Sequence, residues 1–204
     1  MITIINYGLG NISALANVYK RLNIPVIIAT RKEELNDAKK IILPGVGAFD
    51  HAMTLLQQSG MRECLDELVL EKKIPVLGIC VGMQILAKKS EEGETPGLGW
   101  INGEVKKIDK TLLTQMPKIP HLGWNSIEVS KNTSLLDGID EEEGFYFLHS
   151  YYFECGEDAD VLSKTFYGKT FASSVNNKNI YGVQFHPEKS HHNGVKLLQN
   201  FAKI

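Results

Sequence analysis

The chain is poor in cysteine, in net charge and in long apolar runs. Three cysteines, far apart and odd in number, make neither a disulfide framework nor a paired metal motif. A formal net charge of −2 gives no field for broad nucleic-acid or anionic-membrane binding. No apolar run approaches the roughly 18 residues of a membrane span. The opening residues 1–8 lack a basic leader and turn polar at once, so no signal peptide is expected and a reducing cytoplasm is the simplest setting. Internal repeats, low-complexity segments and a linker long enough to divide the chain are also missing. What remains is ordinary globular composition, 43% apolar and 23% charged over 204 residues. One domain spanning residues 1–204 is expected.

The first half alternates short apolar runs with helical periodicity. Residues 2–5, 25–29 and 40–43 read as buried strands. Ile12, Leu15, Ala16, Tyr19 and Leu22 fall on one helical face. Residues 49–69 form a helical region broken near Ser59-Gly60, and a fourth strand leads to Cys80. Strands alternating with helices predict an α/β doubly wound domain with a mostly parallel sheet. In the second half, short strand-like runs at 100–101, 126–129, 145–148, 161–162, 171–172 and 180–185 are separated by turn signals such as Asp137-Gly138. The sheet is therefore expected to become mixed or antiparallel, before a final helix carrying Val195, Leu198, Phe201 and Ala202.

The stretch 74–84 concentrates the chemistry. An apolar strand breaks at Gly78-Ile-Cys80-Val-Gly82 and continues as Met83-Gln84-Ile85-Leu86-Ala87, a helical run. Strand, sharp turn and helix with Cys80 at the corner have the form of a nucleophile elbow. A side chain at 78 or 82 would crowd such a turn, and a helix N-terminus favours a thiolate. Read alone, Cys80 is equally a small buried cysteine at a strand end. A nucleophile needs a base, and His186 directly follows the strand ending at Phe185, with Pro187 and Glu188 next. Glu188 could orient the imidazole while its other nitrogen faces Cys80. Both strand ends would lie at the carboxyl edge of a parallel sheet, where ligands bind in open α/β folds. The backbone N–H of Val81 is a candidate oxyanion donor. The loop Pro44-Gly45-Val46-Gly47, at the same edge, could donate a second N–H, contact a substrate or simply shape a turn.

Other signals carry less. Gly8-Leu9-Gly10-Asn11 begins like a dinucleotide fingerprint but lacks the third glycine and the acidic residue, so a helix-opening turn is expected. His191-His192 has no completing ligand set and reads as an exposed helix start. Cys64 is expected in the core, Cys155 has no evident partner, and residues 140–143 read as a solvated turn.

Taken together, Gly78-Ile-Cys80-Val-Gly82-Met-Gln84 and Gly182-Val-Gln-Phe-His186-Pro-Glu188 resemble the paired signature of class I, triad-type glutamine amidotransferases. Within that family, Asn6-Tyr-Gly-Leu-Gly-Asn11, Pro44-Gly-Val-Gly-Ala-Phe49, Gly97-Leu-Gly-Trp100, Pro120-His-Leu-Gly-Trp-Asn125, Phe147-Leu-His-Ser-Tyr151 and Lys189-Ser190 are similar to the glutaminase subunits of imidazole glycerol phosphate synthases. The similarity runs nearly end to end. It implies a flavodoxin-like three-layer sandwich and a catalytic Cys80–His186–Glu188 triad. It also implies a glutamine pocket lined by Gly47, Val81, Gln84, His149, Ser150 and Tyr151, with no cofactor and no metal. The implied partners are L-glutamine and a (β/α)8-barrel cyclase or synthase subunit forming a heterodimer, with no nucleic acid and no membrane. The turn 7–11 and residues 120–125 would face that barrel, which receives ammonia through an internal tunnel. Asn6 stands where the family usually has Asp, and Ser13 lies one place early. Such departures leave room for a paralogue supplying ammonia for amidination of a nucleotide-linked sugar in surface polysaccharide synthesis. A lone Cys–His hydrolase of peptides or γ-glutamyl conjugates and a non-catalytic subunit are the other classes; the Gln84 and His149-Ser150-Tyr151 pocket disfavours the first, and an intact triad the second.

Overall fold

The computed structural model describes residues 1–113 and 119–204. Its strands are β1 (Ile2–Ile5), β2 (Val26–Ala29), β3 (Ile41–Gly45), β4 (Val76–Cys80), β5 (Lys89–Ser90), β6 (Gly103–Lys107), β7 (His121–Asn125), β8 (Glu128–Val129), β9 (Phe145–His149), β10 (Tyr151–Cys155), β11 (Val161–Tyr167), β12 (Lys169–Asn177) and β13 (Ile180–Val183). The helices are α1 (Ile12–Arg21), α2 (Phe49–Gln58), α3 (Arg62–Asp66), α4 (Val81–Gln84) and α5 (His191–Lys203).

Among the described residues one sheet runs β2-β1-β3-β4-β13-β12-β10-β6-β5, with β11 and β8 joined to its β12 side. The first five strands of that order are parallel, β12, β10 and β6 each run antiparallel to the strand before, and β5 pairs β6 in parallel. This is the expected mostly parallel, then mixed, flavodoxin-like sandwich. The parallel strands are buried along their length at β1, β3, β4 and β13, which is why they read as continuous apolar runs. Helices α1 and α5 meet where the Tyr19 hydroxyl donates to the Leu198 carbonyl at 3.2 Å.

Topology brings distant sequence together. Strand β13, from the far end of the chain, inserts beside β4 in parallel register, with Gly182 opposite Gly78 and Val183 opposite Ile79. On the other side of β4, Gly45 of β3 stands opposite Cys80. Three strand ends therefore lie side by side at one edge of the sheet.

Several local expectations differ. The helix after Cys80 ends at Gln84 instead of reaching Ala87, because the carbonyls of Ile85, Leu86 and Ala87 accept from Leu98, Ile101 and Gly99 rather than continuing the helix. Residues 100–101 are accordingly a packed turn, not a strand, with the Trp100 indole donating to Asp66 at 2.7 Å. Strands β5, β6, β7 and β10 are additions. Strand β6 (Gly-Glu-Val-Lys-Lys) holds one apolar side chain, and β7 turns its large apolar residues outward, so neither shows an apolar run. Cys64 is half-buried at the margin of the core rather than within it. Among the described residues no helix is long and apolar enough to cross a membrane.

Candidate active site

Cys80 closes β4 and opens α4 with φ 54° and ψ −113°, a conformation L-residues adopt only under constraint. Holding such a backbone costs roughly 1–3 kcal/mol, so neighbouring packing must impose it. The glycines show how. A Cβ on Gly82 would lie 1.9 Å from the Leu43 carbonyl oxygen, and one on Gly78 would lie 2.5 Å from the Gly82 oxygen. Backbone meets backbone across β3, β4 and α4, and the turn has no other way to fit.

His186 follows β13 beside the same edge, buried like Cys80. Its Nδ1 sits 2.8 Å from Glu188 Oε1, so Nδ1 carries the proton and Nε2 is left for Cys80. Burial disfavours the imidazolium, but hydrogen bonds and charge interactions with Cys80 and Glu188 outweigh it and push the His186 pKa up to about 10. Burial also works against the Glu188 carboxylate, yet His186 and then Asn11 hold its pKa below the ordinary glutamate value. Asn11 Nδ2 donates to the same Oε1 at 2.6 Å. Asn11 thus has a task inside the protein, on the carboxylate that orients His186. Tyr7 is likewise internal: its hydroxyl, kept protonated chiefly by burial and then by the charge of Cys80, donates to the Pro44 carbonyl at 2.7 Å. It braces the start of the 44–47 loop.

These strand ends open into a cavity of about 330 Å³. Gly47, Cys80, Val81, Gln84, His149, Ser150, Tyr151 and His186 all line it, so every expected pocket residue is there, and Glu188 stands behind His186. Gln84 spends both amide hydrogens inside the protein, on Tyr151 O at 3.0 Å and Gln184 Oε1 at 3.1 Å, which leaves Oε1 to accept from a ligand. Gln184 in turn points its Nε2–H at Cys80 Sγ, 3.8 Å away. Sequence reasoning passed over Gln184, although its place two residues before His186 was in view. It also missed Glu92, the only carboxylate among the described lining residues. Glu92 Oε2 accepts from the Phe49 N–H at 2.8 Å, and Asp50 accepts from the N–H groups of Glu94 and Thr95 at 3.0 and 3.1 Å. The 93–96 segment is therefore clamped to the start of α2.

Two buried histidines, His121 and His149, lie beside the cavity. Burial lowers the pKa of His121 to about 4; burial, then the neighbouring His121, lowers that of His149 to about 3. In the unfolded chain both bind protons near pH 6.5, so their contribution to stability is full above that pH and falls as pH drops toward 4 and 3. In denaturant titrations between pH 7 and 4, His121→Phe is expected to reduce the acid-induced loss of stability; a slope equal to that of the unaltered chain would contradict this.

The model of the glutamine amidotransferase class-I family matches residues 3–204. The imidazole glycerol phosphate synthase subunit HisH of Bdellovibrio bacteriovorus is 53% identical over 204 residues, covering 100% of both chains. The HisH subunit of Leptospira interrogans is 52% identical with the same coverage. Among solved structures, one described as a glutamine amidotransferase superposes with TM-score 0.74 at 21% identity, covering 100% of this chain and 99% of its own. The PurLQS structure from Thermotoga maritima gives 0.72 at 18%, covering 99% and 97%. Matched along its full length, the chain belongs to the class I glutamine amidotransferase family.

Proposed function

We propose that this chain, acting as one domain, is the glutaminase subunit of an imidazole glycerol phosphate synthase in histidine biosynthesis. It hydrolyses L-glutamine to glutamate and ammonia in the cytoplasm and passes the ammonia to a (β/α)8-barrel cyclase. The observation that carries the chemistry is the Cys80–His186–Glu188 alignment on adjacent strand ends above a glutamine-sized cavity. The acceptor follows from full-length relatives at 52–53% identity that are HisH subunits.

Cys80 is the nucleophile. Its thiolate attacks the glutamine side-chain carbonyl carbon, and the resulting oxyanion takes hydrogen bonds from the Val81 N–H and an N–H of the 44–47 loop. Collapse breaks the C–N bond as protonated His186 gives Nε2–H to the leaving nitrogen, releasing ammonia and a γ-glutamyl thioester. His186 then takes a proton from water, whose oxygen attacks the thioester. Expulsion of the Cys80 thiolate yields glutamate and resets the pair. Glu188 and Asn11 keep the imidazole in the tautomer that both steps need. General acid–base help of this kind contributes roughly 10²–10⁴-fold, and one oxyanion donor roughly 10²–10³-fold.

Glu92 supplies the charge that glutamine's α-ammonium requires, with the Gln84 carbonyl and the backbone of 149–151 addressing the rest of the ligand. Glu92→Gln keeps an acceptor for the Phe49 N–H but loses the charge. It is expected to raise KM for glutamine about 10- to 100-fold with kcat nearly unchanged, since a contact remote from the amide stabilises ground and transition states alike. A fall in kcat at unchanged KM would contradict that placement. The function itself is tested by mixing the chain with the cyclase subunit of its own organism. Glutamine-dependent formation of imidazole glycerol phosphate is expected, and glutamine hydrolysis supporting only a different barrel synthase would overturn the assignment.

A further inference from the structure

Strands β7 and β9 pair with His121 directly opposite His149. Asn125 Nδ2 lies 3.1 Å from His121 Nε2 and 3.0 Å from the Phe166 carbonyl. His121 Nδ1 lies 2.9 Å from His149 Nε2, and His149 Nδ1 lies 2.8 Å from the Tyr151 carbonyl. The last contact assigns every proton in the row. A carbonyl only accepts, so His149 donates from Nδ1. With that ring neutral, its Nε2 is an acceptor, and His121 must donate from Nδ1. His121 Nε2 then accepts from the Asn125 amide. Burial keeps both rings neutral at ordinary pH, which this single direction of donation requires.

The row continues past the histidines. The Tyr151 carbonyl also accepts from Gln84, whose second amide hydrogen goes to Gln184, which faces Cys80. Two donors, His149 Nδ1–H and the Gln84 amide, therefore converge on one carbonyl in the cavity wall, and along the histidine row each hydrogen bond polarises the next. The His121 ring is held in an aromatic slot, stacked 4.0 Å from Tyr167 and 4.6 Å from Phe147. Neither His121 nor Asn125 lines the cavity. Their reach into it is through His149.

We propose that His121 and Asn125 are positioning residues for the glutamine pocket. They hold His149 as its Nδ1–H tautomer and, through it, set the 149–151 backbone and the Gln84 amide in binding geometry. This rests on reading the cavity as the glutamine site.

The test pairs a spectroscopic readout with kinetics, both on the full chain bound to its barrel partner. Imidazole ¹⁵N NMR of the unaltered complex is expected to show Nδ1–H tautomers at His121 and His149. His121→Phe keeps a ring in the aromatic slot but removes the donor. It is expected to raise KM for glutamine about tenfold, the scale of one buried hydrogen bond, with kcat changed less than about threefold. His149 should then show a tautomer mixture. His121→Asn places an amide N–H near the Nδ1 position and is expected to bring KM back to within about threefold of the unaltered value, though it loses the stack. Asn125→Ala, which leaves both rings in place, serves if His121→Phe fails to fold. It is expected to raise KM about threefold and to admit the Nε2–H tautomer at His121. An Nε2–H tautomer at His149 in the unaltered complex would overturn the proposal. So would unchanged KM in the folded variants, or His121→Asn as impaired as His121→Phe. Tautomers as assigned in a complex that hydrolysed no glutamine would leave the proton arrangement standing and overturn the glutamine reading, so the two failures are distinct.

Discussion

Replacing Cys80 by alanine is expected to lower glutamine hydrolysis by about 10⁴-fold or more in the presence of the barrel partner. The nucleophile and base act as a unit, so removing the sulfur leaves only binding and oxyanion donation. The other two cysteines provide the control. Burial pushes the Cys155 thiol up to about 12, and burial raises the Cys64 thiol as well, so both stay protonated and poorly nucleophilic. Cys64→Ser and Cys155→Ser are expected to leave the rate within about twofold, since neither lines the cavity. Glutamate release by coupled assay decides the matter, and near-normal release by Cys80→Ala would remove the thioester mechanism.

Gly82→Ala is expected to be among the most damaging single-methyl changes in the molecule. Its Cβ would sit 1.9 Å from the Leu43 oxygen and 2.9 Å from the Leu43 carbonyl carbon, both backbone atoms of a buried strand. Nothing flexible is available to yield, so either β3 and β4 separate or the elbow shifts. A loss above about 4 kcal/mol of stability, or a folded protein without glutaminase activity, follows. Gly60 makes the comparison. It also lacks a side chain and has φ +69°, but nothing lies within 4 Å of its would-be Cβ. Gly60→Ala is expected to cost about 1 kcal/mol, the intrinsic penalty of that backbone region. Chemical denaturation of the two variants separates steric collision from backbone preference; equal costs would mean the elbow is not as tightly packed as described.

The sequence disclosed the parallel half of the fold because strands buried on both faces must be apolar throughout. It pointed to Cys80, His186 and Glu188 as neighbours because elbow and base carry strong local signatures at strand ends, and the structure places them together. It did not disclose the neighbours of those residues. Asn11 is a helix-opening turn residue by sequence and a Glu188 ligand in space, 177 positions away. Glu92 lies in a charged, glycine-containing stretch that reads as solvated surface, yet its carboxylate is tied to the start of α2 and borders the cavity. Strand β7 was hidden for a different reason. Its inward side chain is His121, while Leu122 and Trp124 face out, 49% and 43% exposed. That inverted pattern looks unlike a strand, and it leaves apolar surface beside the cavity where the barrel partner is expected to seat.

The most direct measurement is covalent capture of the nucleophile. The complex with its barrel subunit is treated with an electrophilic glutamine analogue, and the adduct is located by peptide mass spectrometry. One adduct is expected, on Cys80, formed more slowly when L-glutamine is present. Labelling confined to Cys64 or Cys155, or labelling of Cys80 that glutamine does not slow, would contradict it.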